Sequence, residues 1–312
     1  MQPTQSRAAA VRGVMDSHGR GDRRRVAPTG GFGARRRRLS RVRPLREPVM
    51  TTDPASPSIY SLSRRLRAGE TVYPGWVNLA DPLLARAIAQ SRLDGVVIDM
   101  QHGQFDTATV MQTIGEVAGV GKSTIVRVPV GDFAMAARAF DMGAAGVIAP
   151  MINTADDARA LVDFVKYPPV GRRSWGPMRA MDLAGRSDAT AHLHGGADET
   201  LALVMLETRD ALANIDEILA VPGIDGTFVG PFDLSVSLSN GAFVDPNSAM
   251  LAEALAHIQA RTHAAGKIPA AFGGASVRVR ALTDLGFRMI NVGWDTVYLD
   301  VGITAMIEAA GI

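Results

Sequence analysis

The chain contains no cysteine in 312 residues. Disulfides, zinc–thiolate centres and thiol nucleophiles are thereby excluded, and a reducing compartment fits without being required. No apolar run approaches the roughly 20 residues that span a bilayer, so the sequence reads as a soluble protein without a membrane partner. No GxGxxG or Walker loop follows any apolar strand, which removes the usual nucleotide-binding signatures. Lysine is absent from residues 1–49, yet that stretch holds 13 Arg and only Asp16, Asp22 and Glu47 as acids, a balance of +10. Since the whole chain carries +2, residues 50–312 carry 20 basic and 28 acidic side chains, a balance of −8.

The arginine-rich segment 1–50 has no apolar periodicity to fold on and no secretory apolar region. It stands as a disordered tail beside a single domain over 51–312. Its runs at Arg23–Arg25 and Arg35–Arg38 suit nucleic-acid binding or an address signal. An organellar transit peptide, which would make the protein mitochondrial, is a second reading, and an over-called start before Met50 is a third. Nucleic acid is not expected as a partner of the acidic remainder, and a cytoplasmic protein is expected.

From Thr71 onward a short apolar strand, a polar turn and an amphipathic helix repeat. Strands are expected at Thr71–Val77, Gly95–Met100, Thr124–Val128, Gly146–Met151, Leu201–Leu206, Gly226–Val229, Ile268–Phe272 and Met289–Val292. Helices are expected at Asp81–Ser91, Asp132–Met142, Ala155–Lys166, Ala211–Ala220 and Ser248–Ala264, several closed by a left-handed glycine such as Gly143 or Gly266. Eight alternating units predict an α/β fold, the (β/α)8 TIM barrel, with a doubly wound open sheet as the alternative. The connection from Pro168 to Thr200 is long for a compact domain, and it holds His192 and His194 as a weak metal pair.

Function is sought at the C-terminal ends of the strands. The segment Leu201 to Ser235 carries Glu207 and Asp233 at two successive strand ends, out of character for apolar parallel strands. Such carboxylates would converge on a hard divalent cation. Asp233 could instead cap the helix beginning near Leu234. The backbone N–H groups of Phe232 and Asp233 would cradle a substrate carboxylate. His102 follows the second strand, three residues after Asp99, and suits a general base. Arg127 ends the third strand; it either pairs with Asp99 or Asp141 or holds the oxygen of a keto acid. Trp294 and Asp295 stand at the rim of the eighth strand, where Trp294 walls the pocket or simply packs. No lysine ends a strand in a Schiff-base position, since Lys122 and Lys267 precede theirs.

With these residues in view, the chain resembles the HpcH/HpaI family of metal-dependent 4-hydroxy-2-oxo acid aldolases, barrels of the phosphoenolpyruvate/pyruvate type. The resemblance runs from about Gly75 onward through IDMQHG, the Arg127 strand, FDMGAAGVIAPM, YPPVGRR, LETRDALANIDEIL, GIDGTFVGPFDLS and NVGWDT. It implies reversible aldol cleavage to pyruvate and an aldehyde, and a homo-oligomer, a hexamer built as a trimer of dimers. It also implies a divalent cation, Mg²⁺ or Mn²⁺ with Co²⁺ as a further candidate, on Glu207 and Asp233. His102 would be the base, Arg127 would hold the enolate oxygen, and Asp141 would orient His102 or Arg127. Arg173 would lie near the substrate, with Asp99 and Gln101 in support. The chain departs from the family at Met100 and Gln101 in place of Gly and Glu, at Met205, at SWGPMRA, and at Trp294 where a small apolar residue is common. Cleavage of a related thioester, as in citryl/malyl-CoA lyases, and nucleic-acid binding through the tail are the competing functions.

Overall fold

The computed structural model describes residues 58–312, so the arginine-rich segment and the three readings of it lie outside the described residues. Eight parallel strands form one sheet in sequence order: β1 (Gly75–Val77), β2 (Gly95–Asp99), β3 (Ser123–Arg127), β4 (Gly146–Ala149), β5 (Leu201–Met205), β6 (Gly226–Val229), β7 (Ile268–Gly274) and β8 (Met289–Val292). Sequential order with parallel neighbours is the barrel solution, and the open-sheet alternative falls. Closure comes from the segment just before β1. There Ile290 and Val292 N–H donate to the carbonyls of Val72 and Pro74, at 3.2 and 3.0 Å, and Val72 N–H donates to Arg288 at 2.8 Å. The expected strand Thr71–Val77 is thus split at Pro74, which has no N–H to give to a ladder.

Alternation along each strand builds two layers. Leu201, Leu203 and Met205 point into the barrel with Val97, Ile125, Ile148 and Phe228, while Ala202 and Val204 face the helices. The floor of the barrel is plugged by the helix Ser61–Arg67. Its Leu62 and Leu66 enter the interior cluster, and Leu62 N–H donates to Ser123 Oγ at 3.0 Å. Most helices after a strand begin on a side-chain acceptor, as at Asp81, Asp106, Asp132 and Thr208, so each rises from the top of its strand with its first N–H groups satisfied. Gly143 and Gly286, at φ 107° and 99°, reverse the chain below.

Two expectations shift in detail. The expected helix Ala211–Ala220 is two short helices, Arg209–Ala213 and Ile215–Leu219, broken at Asn214. The connection Pro168–Thr200 is itself structured, with helices at Met178–Leu183 and Ala189–Glu199. The last helix, Asp295–Ala310, leaves Val301, Ile303 and Met306 exposed at 62%, 57% and 74%. No helix among the described residues is long and apolar enough to cross a membrane.

Candidate active site

A pocket of about 400 Å³ opens at the C-terminal ends of the strands. It collects Asp99, His102, Arg127 and Asp233 on its polar side, with Phe232 and Trp294 among the rings opposite. A larger cavity of about 620 Å³ between the helices Ala249–Ala264 and Ser276–Leu285 touches no strand end and is not the site.

The polar side is built from β2 and β3. Asp99, 1% exposed, takes two bonds from Arg127, Nε to Oδ1 at 2.9 Å and Nη2 to Oδ2. Oδ1 also accepts the backbone N–H of Gln101 at 3.0 Å and of His102 at 3.2 Å. One buried carboxylate therefore fixes both the guanidinium and the turn that carries His102. The ion-pair reading of Arg127 holds, and it coexists with a place on the pocket wall, because two of five N–H donors are used on Asp99. The guanidinium lies 4.9 Å over the ring of Trp76. Gly103 is obligatory behind His102: a Cβ there would stand 2.2 Å from the carbonyl oxygen of Asp99. Gln101 leaves its Oε1 buried without a partner.

Glu207 stands just past the end of β5, and Asp233 in the first turn of the helix that follows β6. A Cβ built on Gly230 would lie 2.9 Å from Glu207 Oε2 and 3.6 Å from Asp233 Oδ2, so both carboxylates face one small volume that the glycine leaves open. Burial, above all, pushes the Glu207 pKa from 4.5 to about 7, and the neighbouring Asp233 charge adds to it. The N–H of Met151 and the charge of Arg127 act the other way. Met151 donates to Oε1 at 2.9 Å from a backbone at φ 57°, a conformation that costs a non-glycine residue about 1–2 kcal/mol. That amide was not foreseen in the sequence, where Met151 simply ends an apolar strand.

This donor set fits a hard divalent cation. Two carboxylates over a cleft, one strongly desolvated and repelled by the other, call for positive charge. Among the described residues no group of three or more His, Asp or Glu side chains could hold a metal; the two carboxylates over Gly230 would leave the other positions of a Mg²⁺-like ion to substrate and water. Asp233 does not cap a helix beginning near Leu234. The helix is Pro231–Leu238 with Gly230 at its N-cap and no side-chain cap bond, so the early N–H groups, Phe232 and Asp233 among them, are uncapped beside the pocket.

Four expected residues are elsewhere. Asp141 does not orient His102 or Arg127, and Arg173 is not beside the pocket. Arg173 Nη2 bonds Asp141 Oδ1 at 2.6 Å, and its guanidinium lies over the rings of Tyr167 and Phe140 at 4.6 and 5.2 Å. The reason is directional: barrel helices run antiparallel to the strands, so Asp141, at the end of the helix Phe133–Met142, sits at the floor. His192 and His194 do not form a metal pair. They lie two apart on a helix and point apart; His192 is buried against Trp175 and Arg186, while His194 is exposed. Asp295, also at a strand end, clamps the loop after β1 by accepting the N–H groups of Asn78 and Leu79, each at 2.6 Å.

The family model of HpcH/HpaI aldolase/citrate lyase matches residues 74–300. A hydroxypyruvate/pyruvate aldolase of Rhizorhabdus wittichii is 38% identical over 242 residues, covering 78% of this chain and 95% of that one. A 4-hydroxy-2-oxo-heptane-1,7-dioate aldolase of Salmonella arizonae is 32% identical, covering 79% and 92%. Among solved structures, an HpcH/HpaI aldolase from Desulfitobacterium hafniense superposes with a TM-score of 0.73 at 26% identity, covering 80% of this chain and 96% of that one. The strand-end carboxylates, the His102 turn and these matches lead to one statement: the chain belongs to the HpcH/HpaI aldolase/citrate lyase family.

Proposed function

We propose that this protein is a divalent-metal-dependent aldehyde-lyase that cleaves a 4-hydroxy-2-oxo acid to pyruvate and an aldehyde, and runs the addition in reverse. The observation that carries the reading is the convergence of Glu207 and Asp233 over Gly230, beside His102 and Arg127. The names of the relatives, pyruvate and 4-hydroxy-2-oxo acid aldolases, support the substrate class. Glu207 and Asp233 would hold Mg²⁺, Mn²⁺ or Co²⁺, which when bound supplies a Lewis acid that draws negative charge toward the oxygens of a 2-oxo acid.

The chain's own groups do the rest. The N–H groups of Phe232 and Asp233 at the helix start hold the substrate carboxylate. Arg127, kept rigid by Asp99, presents its remaining N–H donors to the 2-oxo oxygen. In the addition direction His102 takes a proton from the methyl carbon of pyruvate. In cleavage the C4 hydroxyl gives its proton to His102, the C3–C4 bond breaks, the electron pair stays with the 2-oxo acid, the aldehyde leaves, and His102 returns the proton to C3. The thioester alternative finds no support in the pocket. Among the described residues that line it, Arg127 is the one arginine or lysine, and Asp99 already holds it.

The apolar last helix supports a homo-oligomer: Val301, Ile303 and Met306 are exposed on different sides of it, and a second copy of this chain is the occupant proposed. A cytoplasmic enzyme acting on small soluble acids suits a cysteine-free chain. The test is pyruvate release from a panel of 4-hydroxy-2-oxo acids with Mg²⁺, with Mn²⁺ and after chelation. Release that the metal restores and that Glu207→Ala and His102→Ala abolish supports the reading; undiminished release in chelator refutes it.

A further inference from the structure

The chain is poor in aromatic residues, with 3 Trp, 4 Tyr and 10 Phe in 312 residues. Five of these line the pocket at the strand ends: Trp76, Phe228, Phe232, Phe272 and Trp294. They are one connected surface. Phe272 stands edge-on to Trp76 at 5.1 Å and to Phe232 at 6.3 Å, and lies tilted beside Trp294 at 5.9 Å, while Phe228 meets Trp76 at 5.8 Å. Trp76 and Phe228, each 1% exposed, make the floor; Phe232, 41% exposed, reaches the rim. Gly274, at φ 63°, sits between the rings, where a Cβ would be 3.1 Å from Phe272 and 3.3 Å from Trp294. The backbone thus leaves the space that lets those two rings meet.

The pocket is divided by chemistry. The acid–base groups and Glu207 come from β2, β3 and the end of β5, and four of the rings from β1, β6, β7 and the end of β8; Phe232 and Asp233 are neighbours in the helix after β6. About 400 Å³ lies in the range that holds a drug-sized ligand, well beyond a three-carbon acid. Arg127 lies over Trp76 and Asp233 stands next to Phe232, so the uncharged part of the wall is Phe272 and Trp294: Asp295 is spent on the loop after β1, and Arg278, stacked 5.8 Å over Phe232, lies outside the pocket and bonds Asn247. A polyhydroxylated aldehyde, or one with a distal carboxylate, would leave polar groups unpaired against this wall. A flat apolar ring would continue its edge-to-face pairing.

We infer that the aldehyde partner of this enzyme is aromatic, its ring held on the wall of Phe272, Trp294 and Phe232. The inference rests on the aldolase reading above. In the addition, C3 of pyruvate, having lost a proton, forms a bond to the aldehyde carbon. The carbonyl electron pair moves to oxygen, which takes a proton, and the product is a 4-aryl-4-hydroxy-2-oxobutanoate with no other reactant consumed.

The experiment compares kcat/KM for benzaldehyde, acetaldehyde and glycolaldehyde, with pyruvate and Mg²⁺, in the wild type, Trp294→Ala and Trp294→Phe. Exchange of the pyruvate methyl protons by the wild type in D2O, with no aldehyde present, reports separately on the aldolase reading. The expected result is at least about a tenfold preference for benzaldehyde over both small aldehydes. That ratio falls about tenfold in Trp294→Ala and is largely kept in Trp294→Phe. Proton exchange without a benzaldehyde preference overturns the inference and leaves the aldolase standing, as does a preference that Trp294→Ala does not change. Absence of exchange overturns the aldolase reading and this inference with it.

Discussion

Replacing Glu207 by Gln removes a charge that the fold holds at a cost. Burial and the Asp233 charge raise the Glu207 pKa from 4.5 to about 7, and each pH unit between those two values corresponds to about 1.4 kcal/mol. The carboxyl is protonated in both states below pH 4.5. Between 4.5 and about 7 the unfolded chain ionises first, so stability falls as pH rises, and above 7 the full cost of about 3 kcal/mol is present. Glutamine keeps an oxygen for the N–H of Met151 and carries no charge. In chelator at pH 8.5, Glu207→Gln is therefore expected to melt about 6–12 °C above the wild type, while at pH 4.5 the two coincide. Scanning calorimetry at the two pH values is the assay. Added Mg²⁺ at pH 8.5 should raise the melting temperature of the wild type and leave the variant unmoved. Equal melting temperatures at pH 8.5, or a difference that persists at pH 4.5, would refute the argument that Glu207 is held charged against burial.

Other substitutions probe the frame around the pocket. Asp99→Ala leaves Arg127 buried without its partner and should cost about 3–5 kcal/mol in urea denaturation; a loss under about 1 kcal/mol would show that the pair does not hold the guanidinium in place. Gly103→Ala forces a Cβ toward the Asp99 carbonyl and displaces the His102 turn. Turnover should fall about a hundredfold with an unchanged circular dichroism spectrum. Asp295→Ala strands the N–H groups of Asn78 and Leu79, about 1–3 kcal/mol each, read as a lowered melting temperature. Removing residues 1–49 should leave kcat/KM for cleavage unaltered, measured beside the full chain.

Strand and helix placement was legible because the barrel makes every strand nearly all apolar and every turn polar, so boundaries fall where hydropathy changes. The pair Glu207 and Asp233 could be read for the same reason: a carboxylate ending an apolar run has no packing role to explain it. What failed was the assignment of end. Asp141 and Arg173 stand in motifs of the family, but a motif says nothing of which face it occupies. Their position follows only when the helix before β4 is seen to descend to the floor. The connection Pro168–Thr200 hid two helices because its glycines, prolines and arginines dilute the apolar periodicity that marks them. The aromatic wall was half legible. Trp76, Phe228 and Phe272 lie at or near strand ends, but their rings come from strands far apart in sequence, and only barrel closure brings β1 against β8.

The central claim is that Glu207, Asp233 and His102 together activate the methyl group of a 2-oxo acid. Loss of the pyruvate methyl signal in D2O, followed by proton NMR without any aldehyde, tests it most directly. The account predicts exchange with Mg²⁺, none in chelator, and none in Glu207→Ala or His102→Ala. Exchange that continues at the wild-type rate in chelator, or in either variant, contradicts it.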